Sequence, residues 1–297
     1  TNLTQDHLDF HADFEDYFRA KAMLFGEYAN DAAQFKPFGG VVNGDDRYGR
    51  RLLELCVFPV MTYGVESDAD VVAEALRMTP RGMSFVVRAD NQRTTVDMKL
   101  TGRFNVYNAL AAFGVGRILG LATEVCRRGL ASALPPPGRL EMIDEGQSFA
   151  VAVDYAHTPD GLQKVISTVR EFTNGRLIVV FGCGGDRDRR KRPLMGAVVS
   201  HFADVAVITS DNPRSEDPLA IIAEIEEGTK EGSATCLIEP DRRRAIAQAI
   251  ALAQPGDFVL IAGKGHETYQ IFRDRTVHFD DREVAREVLR SGLRVEG

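Results

Sequence analysis

The sequence predicts a two-domain α/β protein, and three observations support this fold class. After residue 138, apolar runs alternate with helical stretches, which is typical of a doubly wound, mostly parallel, Rossmann-like sheet. Before that point, short β segments are followed by helical patterns. The run Pro135-Pro136-Pro137-Gly138 separates the two regions. We therefore place the first domain at residues 1–136 and the second at residues 137–297.

The first domain combines helical segments at both ends with β segments between them. The predicted helical segments are residues 4–29, Asn105–Leu121 and a second helix that runs on to Leu134. The β-leaning segments are two apolar runs within Leu52–Val65, and then Met83–Arg88 and Thr94–Leu100. The last two segments flank Asp90 and Asn91, which favour a tight turn, so they predict a hairpin.

The second domain alternates strictly between strands and helices. The predicted strands are Ala150–Val153, Leu177–Phe181, Val205–Thr209, Cys236–Ile238 and Phe258–Ile261. The predicted helices are Gly161–Phe172, Lys191–His201, Leu219–Glu227, Arg242–Ala253 and Asp281–Leu289. Ligands of such sheets bind at the carboxyl ends of the strands. The loops that follow these strands are therefore the expected position of a binding or catalytic site.

Composition excludes several classes of function. The net charge of -7 and the pI near 5.5 argue against a nucleic-acid partner, which requires a basic face. No apolar run approaches the roughly 20 residues that cross a bilayer, so membrane insertion is not expected. The amino terminus does not resemble a signal peptide, and the four cysteines are dispersed. These features predict a cytoplasmic protein with reduced thiols.

Three loops that follow predicted strands combine glycine with charges of both signs. They are residues 182–188 (GCGGDRD), 211–214 (DNPR) and 263–267 (GKGHE). Glycine permits close backbone approach, and arginine grips a carboxylate through two parallel hydrogen bonds. The set suits a zwitterion such as an amino acid, whereas each loop alone would be read as a turn with solvated arginines. Position 187 is arginine, so the first loop is not a dinucleotide-binding fingerprint.

Two other segments leave alternatives open. Asp154 ends a strand and is suited to orienting a phosphate-bound metal or water, while Thr158 or Asp160 caps the following helix. Asn105 and Asn108 lie three residues apart, so both amides fit one helical face that reads an adenine edge. The alternative for Asn105 is helix capping, which the physical argument alone favours.

Seven blocks of this sequence together resemble the Mur ligase family. They are TNLTQDHLDFH with the following RAK, GRFNVYNALAA, PPPGRLE, VDYAHTPD, FGCGGDRDRRKRP, SDNPRSEDP and AGKGHETYQ. They cover nearly the whole chain in the family's order. They are most similar to members that add the third amino acid to UDP-N-acetylmuramoyl-L-alanyl-D-glutamate in peptidoglycan synthesis. Residues 1–136 would then be part of an ATP-binding central domain, and residues 137–297 an amino-acid-binding carboxyl-terminal domain.

The resemblance implies a role for particular residues. His7 matches a magnesium ligand, and Lys21 matches the lysine whose carbamate helps to hold magnesium; without the family, both would be read as ordinary surface residues. Asn105 and Asn108 match the adenine contact, and Arg139 and Asp154 match contacts to the ATP phosphates. His7, Lys21 and Asp154 form the implied catalytic set. The residues that match the pocket for the incoming amino acid are Arg187, Asp211, Asn212, Arg214, Gly263 and Glu267.

The resemblance also implies the reaction. In the family, ATP phosphorylates the D-glutamate carboxylate, and the amine of the incoming amino acid attacks the resulting acyl phosphate, with magnesium as cofactor. The arginine of the DNPR loop, Arg214, can pair with the distal carboxylate of meso-diaminopimelate, which lysine lacks. The expected substrates are therefore meso-diaminopimelate and UDP-MurNAc-L-Ala-D-Glu. The intact enzyme is expected to be a monomer.

Three features of the family's pattern are missing from this sequence. The family's amino-terminal domain, its GxxGKT phosphate-binding loop and an upstream acidic magnesium block have no counterpart in the sequence, and Lys264 is followed by glycine rather than serine or threonine. We expect the chain alone neither to hydrolyse ATP nor to form the peptide bond. The alternatives are a natural truncated homologue that binds the amino acid without catalysis, and another ligase of the superfamily that adds glutamate to folate or polymerises amino acids.

Overall fold

The computed structural model describes residues 1–3, 11–33 and 39–293. It divides into two compact units, Thr1–Leu134 and Pro135–Gly297. The division lies two residues before the boundary that we placed after residue 136. Within the described ranges, no helix has the length and apolar character needed to cross a membrane.

The first unit is built on a five-stranded sheet in the order β1-β2-β3-β4-β5. Its strands are β1 (Gly40–Asn43), β2 (Val60–Gly64), β3 (Val71–Thr79), β4 (Gly82–Ala89) and β5 (Gln92–Met98). β1, β2 and β3 are parallel, and β3, β4 and β5 are antiparallel. The helices are α1 (Phe14–Ala22), a π-helical turn (Leu24–Tyr28), α2 (Ala29–Ala33), α3 (Arg47–Leu53), α4 (Arg103–Ile118) and α5 (Thr123–Ser132).

The predicted hairpin is confirmed as β4 and β5. Asp90 and Asn91 form its two-residue turn with φ of 50° and 59°, the left-handed conformation that these residue types tolerate. The sheet buries Phe85 and Val96 against α4, whose Phe113 is also buried. The predicted helix over Asn105–Leu121 is thus confirmed as the element that covers this sheet.

One predicted strand in the first unit is wrong. The first apolar run within Leu52–Val65, Leu55–Val60, forms a turn and a loop after the end of α3, and a strand begins only at Val60. The backbone N–H of Leu55 and the thiol of Cys56 both donate to the Leu52 carbonyl, which continues the helical turn. Pro59 has no N–H to give to a ladder, so the strand cannot extend back through it.

The second unit is built on a six-stranded sheet in the order β10-β9-β8-β11-β7-β6. The parallel strands are β7 (Ala150–Asp154), β8 (Leu177–Phe181), β9 (Val205–Ile208), β10 (Thr235–Ile238) and β11 (Phe258–Ala262). β6 (Glu141–Met142) is an antiparallel edge strand, and β12 (Tyr269–Ile271) pairs with β13 (Thr276–His278) in a separate hairpin. The helices are α6 (Pro159–Arg170), α7 (Lys191–Phe202), α8 (Pro218–Glu227), a 3-10 turn (Gly228–Glu231), α9 (Arg242–Leu252) and α10 (Asp281–Leu293).

Helices cover both faces of this sheet, which confirms the predicted doubly wound architecture. On one face the core contains Ile166 of α6, Val199 of α7 and Ile225 of α8. On the other it contains Ile246 of α9 and Leu289 of α10. Because both faces are buried, the central strands are apolar at every position. The sequence did not predict the short strands β6, β12 and β13, since two or three residues carry no readable periodicity.

A buried ion pair joins α9 and α10 to the carboxyl ends of two strands. The guanidinium of Arg242 is fully buried and donates to both carboxylate oxygens of Asp281 at 2.8 Å. It also donates to the carbonyl oxygens of Ala262 at 2.9 Å and Ser210 at 3.4 Å. These two residues begin the loops after β11 and β9, so Arg242 fixes the points from which those loops leave the sheet.

We predict that Arg242→Met lowers the free energy of unfolding of the second unit by about 3–5 kcal/mol, because Asp281 is left buried without its partner. Arg243→Met is the matched control, since the adjacent Arg243 makes an exposed pair with Glu287 that contributes about 0–1 kcal/mol. Urea denaturation followed by circular dichroism measures both. Equal losses in the two variants would contradict the role given to Arg242.

Candidate functional site

The loops that follow β8, β9 and β11 meet at the carboxyl edge of the second sheet. The backbone N–H of Gly185 donates to the Asn212 carbonyl at 2.9 Å, and Nη1 of Arg214 donates to the Gly185 carbonyl at 2.7 Å. Nδ2 of Asn212 donates to a carboxylate oxygen of Glu267 at 2.9 Å. The loop after β9 therefore contacts both of the others, although β8 lies between β9 and β11 in the sheet.

Two glycines allow this close approach. A Cβ at Gly185 would lie 1.9 Å from the carbonyl oxygen of Pro213, which is an impossible contact. Gly263 has a φ of 117°, and a Cβ there would lie 2.9 Å from a carboxylate oxygen of Asp211. Any larger residue at either position would separate the loops, so the glycines are required by packing as well as by turn geometry.

A fully buried lysine ties the second and third loops together. Nζ of Lys264 donates to Oδ1 of Asn212 at 3.1 Å and to Oε2 of Glu267 at 2.9 Å. Oδ1 of Asn212 also accepts from the backbone N–H of Ile271 at 3.0 Å. Two donors at Oδ1 force the amide nitrogen of Asn212 toward Glu267, which fixes the orientation of both side chains.

The structure brings most of the predicted amino-acid pocket into contact. Asp211 and Asn212 are buried, Glu267 and Arg214 are half-buried, and Gly263 lies against Asp211. Arg214 has a φ of 51°, and its backbone N–H donates to the Ile271 carbonyl.

Arg187, the remaining predicted pocket residue, extends from the first loop into solvent. Its Nη1 donates to the carbonyl of Asp186 at 3.0 Å. The arrangement offers carboxylates and guanidinium groups within one set of loops, which is chemistry suited to an amino acid.

Asp154 ends β7 and is committed to the backbone around it. Its two carboxylate oxygens accept from the N–H groups of Leu140 at 2.7 Å and Ala156 at 2.8 Å. Burial raises the pKa of this carboxyl, and these hydrogen bonds oppose that rise. The guanidinium of Arg139, an exposed residue in the segment before β6, lies 4.9 Å from the centre of the Tyr155 ring.

The helix after Asp154 is capped as predicted. Oγ1 of Thr158 accepts from the backbone N–H of Gly161 at 3.1 Å, so Thr158 rather than Asp160 is the capping residue of α6. Asp160 instead forms an ion pair with Lys164 one turn further along the helix.

Asn105 and Asn108 lie in the first unit on one side of α4. Nδ2 of Asn108 donates to Oδ1 of Asn105 at 3.2 Å, and Nδ2 of Asn105 donates to the carbonyl of Thr101 at 2.8 Å. The capping interpretation of Asn105 is wrong, because the helix begins at Arg103 and Gly102 is the N-cap residue. A paired amide face is therefore present at the amino end of α4.

Asp45 fixes the position of this end of α4. Its carboxylate accepts from the hydroxyl of Tyr107 at 2.9 Å and from the backbone N–H groups of Val65 at 2.7 Å and Ser67 at 2.7 Å. Burial alone would raise the pKa of Asp45, but hydrogen bonds from Ser67, Val65 and Glu66 hold it well below its usual range. Asp45 thereby joins the loop after β2 to the helix that carries both asparagines.

The predicted magnesium ligands are only partly described. His7 lies outside the described residues. Lys21 is exposed and lines a cavity of about 170 Å³ together with Asn43 and Asp46, but Asp46 already accepts two backbone N–H bonds as the cap of α3. Across residues 1–3, 11–33 and 39–293, no three His, Cys, Asp or Glu side chains cluster closely enough to hold a metal. These residues do not form a metal site by themselves.

Two buried cations near the site were missed by the sequence analysis. The sequence excludes Lys264 as a phosphate-loop lysine but gives it no other role, and it does not distinguish Arg192 from the basic residues before it. A signal for Arg192 existed, because it shares one helical face with the buried Met195 and Val199. Lys264 gives no such signal, since it lies in a loop.

The fold and the loops define the class of protein. A doubly wound sheet whose strand ends carry paired carboxylates and arginines follows a domain whose helix presents an amide face. Residues 1–116 match the family described as Mur ligase middle domain, and residues 138–265 match the family described as Mur ligase, glutamate ligase domain. The chain belongs to the Mur ligase family.

Several similar proteins are named UDP-N-acetylmuramoyl-L-alanyl-D-glutamate–2,6-diaminopimelate ligase. The protein of that name from Geobacillus thermodenitrificans is 48% identical over 290 residues, covering 98% of this chain and 59% of the relative. The one from Solibacter usitatus is 49% identical, covering 98% and 58%. A solved structure of a ligase with this name has a TM-score of 0.70 at 34% identity, covering 98% and 59%. The chain thus spans about three fifths of the length of the curated relatives it matches.

We predict that Asp45→Asn destabilises the first unit near pH 7 by about 1–3 kcal/mol, because the amide presents N–H groups to backbone donors. The pKa of Asp45 is lowered on folding, so its contribution is complete above the ordinary value of 3.8 and is lost as pH falls through the folded value. The difference in the free energy of unfolding between the variant and the unaltered chain should therefore be smaller near pH 3 than near pH 7. Urea denaturation at both pH values tests this.

The matched control for this prediction is Asp68→Asn. Asp68 is an exposed carboxylate that pairs with Arg88, and its substitution should change the free energy of unfolding by less than about 0.5 kcal/mol. A loss at Asp45 that is no larger than the loss at Asp68 would show that Asp45 does not anchor α4.

Proposed function

We propose that this chain supplies the amino-acid pocket and nucleotide contacts of an ATP-dependent ligase that joins meso-diaminopimelate to UDP-MurNAc-L-Ala-D-Glu in the cytoplasm. The observation that carries the proposal is the set of three contacting loops with Arg214, Asn212 and Glu267 at their junction. Relatives at 48% and 49% identity bear the name of that ligase, and the alignment with them covers these loops.

Arg214 supports diaminopimelate as the amino acid. Its bond to Gly185 uses one of the five N–H groups of the guanidinium, and a carboxylate accepts two such groups at once. L-lysine lacks the distal carboxylate, so it would leave this half-buried cation without an anion. A site built around a charged partner rejects a ligand that lacks it more strongly than a hydrophobic pocket rejects a missing methylene group.

Glu267 and Asp211 support recognition of an ammonium group. Oε2 of Glu267 is held by Lys264 and Asn212, so the carboxylate is anchored through one oxygen and its direction is fixed. Asp211 is buried beside Gly263. Carboxylates with fixed positions bind a ligand cation without first paying the entropy of ordering the side chains.

The remaining contacts are assigned through the family. We assign the adenine to Asn105 and Asn108 and the ATP phosphates to Arg139, with Asp154 beside them to orient a phosphate-bound metal or water. Transfer of the γ-phosphoryl group to the D-glutamate carboxylate would give an acyl phosphate and ADP, and attack by the amine would release phosphate. Magnesium would be held by His7 and a carbamylated Lys21, but the described residues complete no metal site, so we assign no step to it.

The proposal predicts selective binding by the 297-residue chain itself. Isothermal titration calorimetry should show meso-diaminopimelate binding at least about tenfold more tightly than L-lysine, since a charge-assisted hydrogen bond contributes about 1.5–3 kcal/mol. Arg214→Ala should abolish that preference by weakening the binding of diaminopimelate alone.

Arg190→Ala provides the control. Arg190 lies three residues after Arg187, is exposed and pairs with Asp188, so its loss should leave both affinities unchanged. Equal affinity of the unaltered chain for the two amino acids, or an equal loss of diaminopimelate binding in both variants, would rule out the proposed recognition by Arg214.

A further inference from the structure

The loops that carry Arg187 and Arg214 are fastened by a second buried cation. Arg192 lies in the first turn of α7 and is fully buried. Its guanidinium donates to both carboxylate oxygens of Glu216, at 2.7 Å and 2.9 Å, and to the carbonyl of Gly184 at 3.3 Å. One side chain thus binds the loop after β8 and the loop after β9.

Glu216 completes the bridge between these two loops. Besides accepting from Arg192, its Oε1 accepts from the backbone N–H of Asp186 at 2.6 Å. The neighbouring Ser215 donates its hydroxyl to Asp186 at 2.6 Å. The hydrogen bond from Arg192 lowers the pKa of Glu216 to about 2, so the carboxylate stays charged at any physiological pH.

Glu216 lies two residues after Arg214 in one tight turn. The backbone N–H of Glu216 donates to the carbonyl of Pro213 at 3.1 Å, which encloses Arg214 between them. Arg214 has the left-handed φ of 51°, a conformation that persists in a residue with a Cβ only when its surroundings enforce it. The carboxylate of Glu216 is the anchor on the far side of that turn.

We propose that Glu216, held by Arg192, is a positioning residue that sets the direction of Arg214 for the distal carboxylate of diaminopimelate. This inference rests on the proposed function. Glu216 touches no substrate in this scheme; it fixes the two loops between which the Arg214 side chain is held. Loss of its charge would make the turn mobile. Ligand binding would then have to order the Arg214 guanidinium, and the lost conformational entropy would weaken binding.

The structure offers a matched control for Glu216. Glu224 accepts from the same Arg192 at 2.9 Å and also pairs with Arg189, but it lies in α8 and bonds neither Asp186 nor the Arg214 turn. Glu216→Gln and Glu224→Gln therefore each remove one of the two carboxylates that pair with Arg192. Only the first substitution touches the loops.

The test is calorimetric titration of meso-diaminopimelate and L-lysine into the full chain, with melting temperatures measured in parallel. E216Q should weaken diaminopimelate binding at least about tenfold and leave L-lysine binding unchanged. E224Q should lower the melting temperature about as much as E216Q does, but it should leave the affinities for diaminopimelate and L-lysine unchanged. In an R214A background, E216Q should change the diaminopimelate affinity by less than about twofold, because the two residues act as a unit.

A second variant covers the case in which E216Q does not fold. Arg192→Lys keeps the buried charge but loses the planar fork, and it should produce the same selective loss of diaminopimelate binding. If the unaltered chain shows no binding of diaminopimelate, the proposed function fails and this inference falls with it. If the unaltered chain binds, then equal effects of E216Q and E224Q, or a full loss that persists beside R214A, would overturn the positioning role alone.

Discussion

The arrangement of the second unit depends on a guanidinium that has no contact with solvent. Arg242 binds Asp281 at the start of α10 and the carbonyls at the ends of β9 and β11. A buried charge is tolerated only when its donors are satisfied, so the strand ends must remain where the guanidinium meets them. Two of the three loops of the candidate site leave the sheet from those points. Their starting positions are therefore set by hydrogen bonds to Ser210 and Ala262, the residues that directly precede Asp211 and Gly263.

Two further buried cations fix the positions of their partners in the same way, here within the loops. Lys264 joins the loops after β9 and β11 through Asn212 and Glu267, and Arg192 joins the loops after β8 and β9 through Glu216. Each cation is paired with a carboxylate that is partly accessible, so only one member of each pair is fully removed from water. Burying these charges costs stability, but it holds the loop side chains in fixed positions where charged ligand groups would bind. The glycines at 185 and 263 allow the loops to approach closely enough for these bonds to form.

Much of the fold was predictable because burial on both faces leaves a direct record in the sequence. A parallel strand under two helical layers must be apolar throughout, and the runs at Leu177–Phe181 and Phe258–Ile261 fall on β8 and β11. The failures have local causes. Pro59 interrupts the ladder before β2, and the N-cap position of α4 is occupied by Gly102, so Asn105 lies within the helix instead of capping it. Short strands such as β6 were missed because two residues show no periodicity.

The sequence by itself determined the family, the alternation of long strands and helices in the second unit, and the position of the three charged loops, because each depends on residues adjacent in the chain. The tertiary structure decided how those loops act on one another. It showed that Lys264 is buried and joins two loops. It also showed that Arg192 is the buried member of the basic run at residues 187–192, and that Glu216 bonds a loop 30 residues away in the chain. Such contacts depend on distance in space and on burial. A sequence records which side chains are charged, but only the packed fold decides which of those charges are removed from water and which partners they then require.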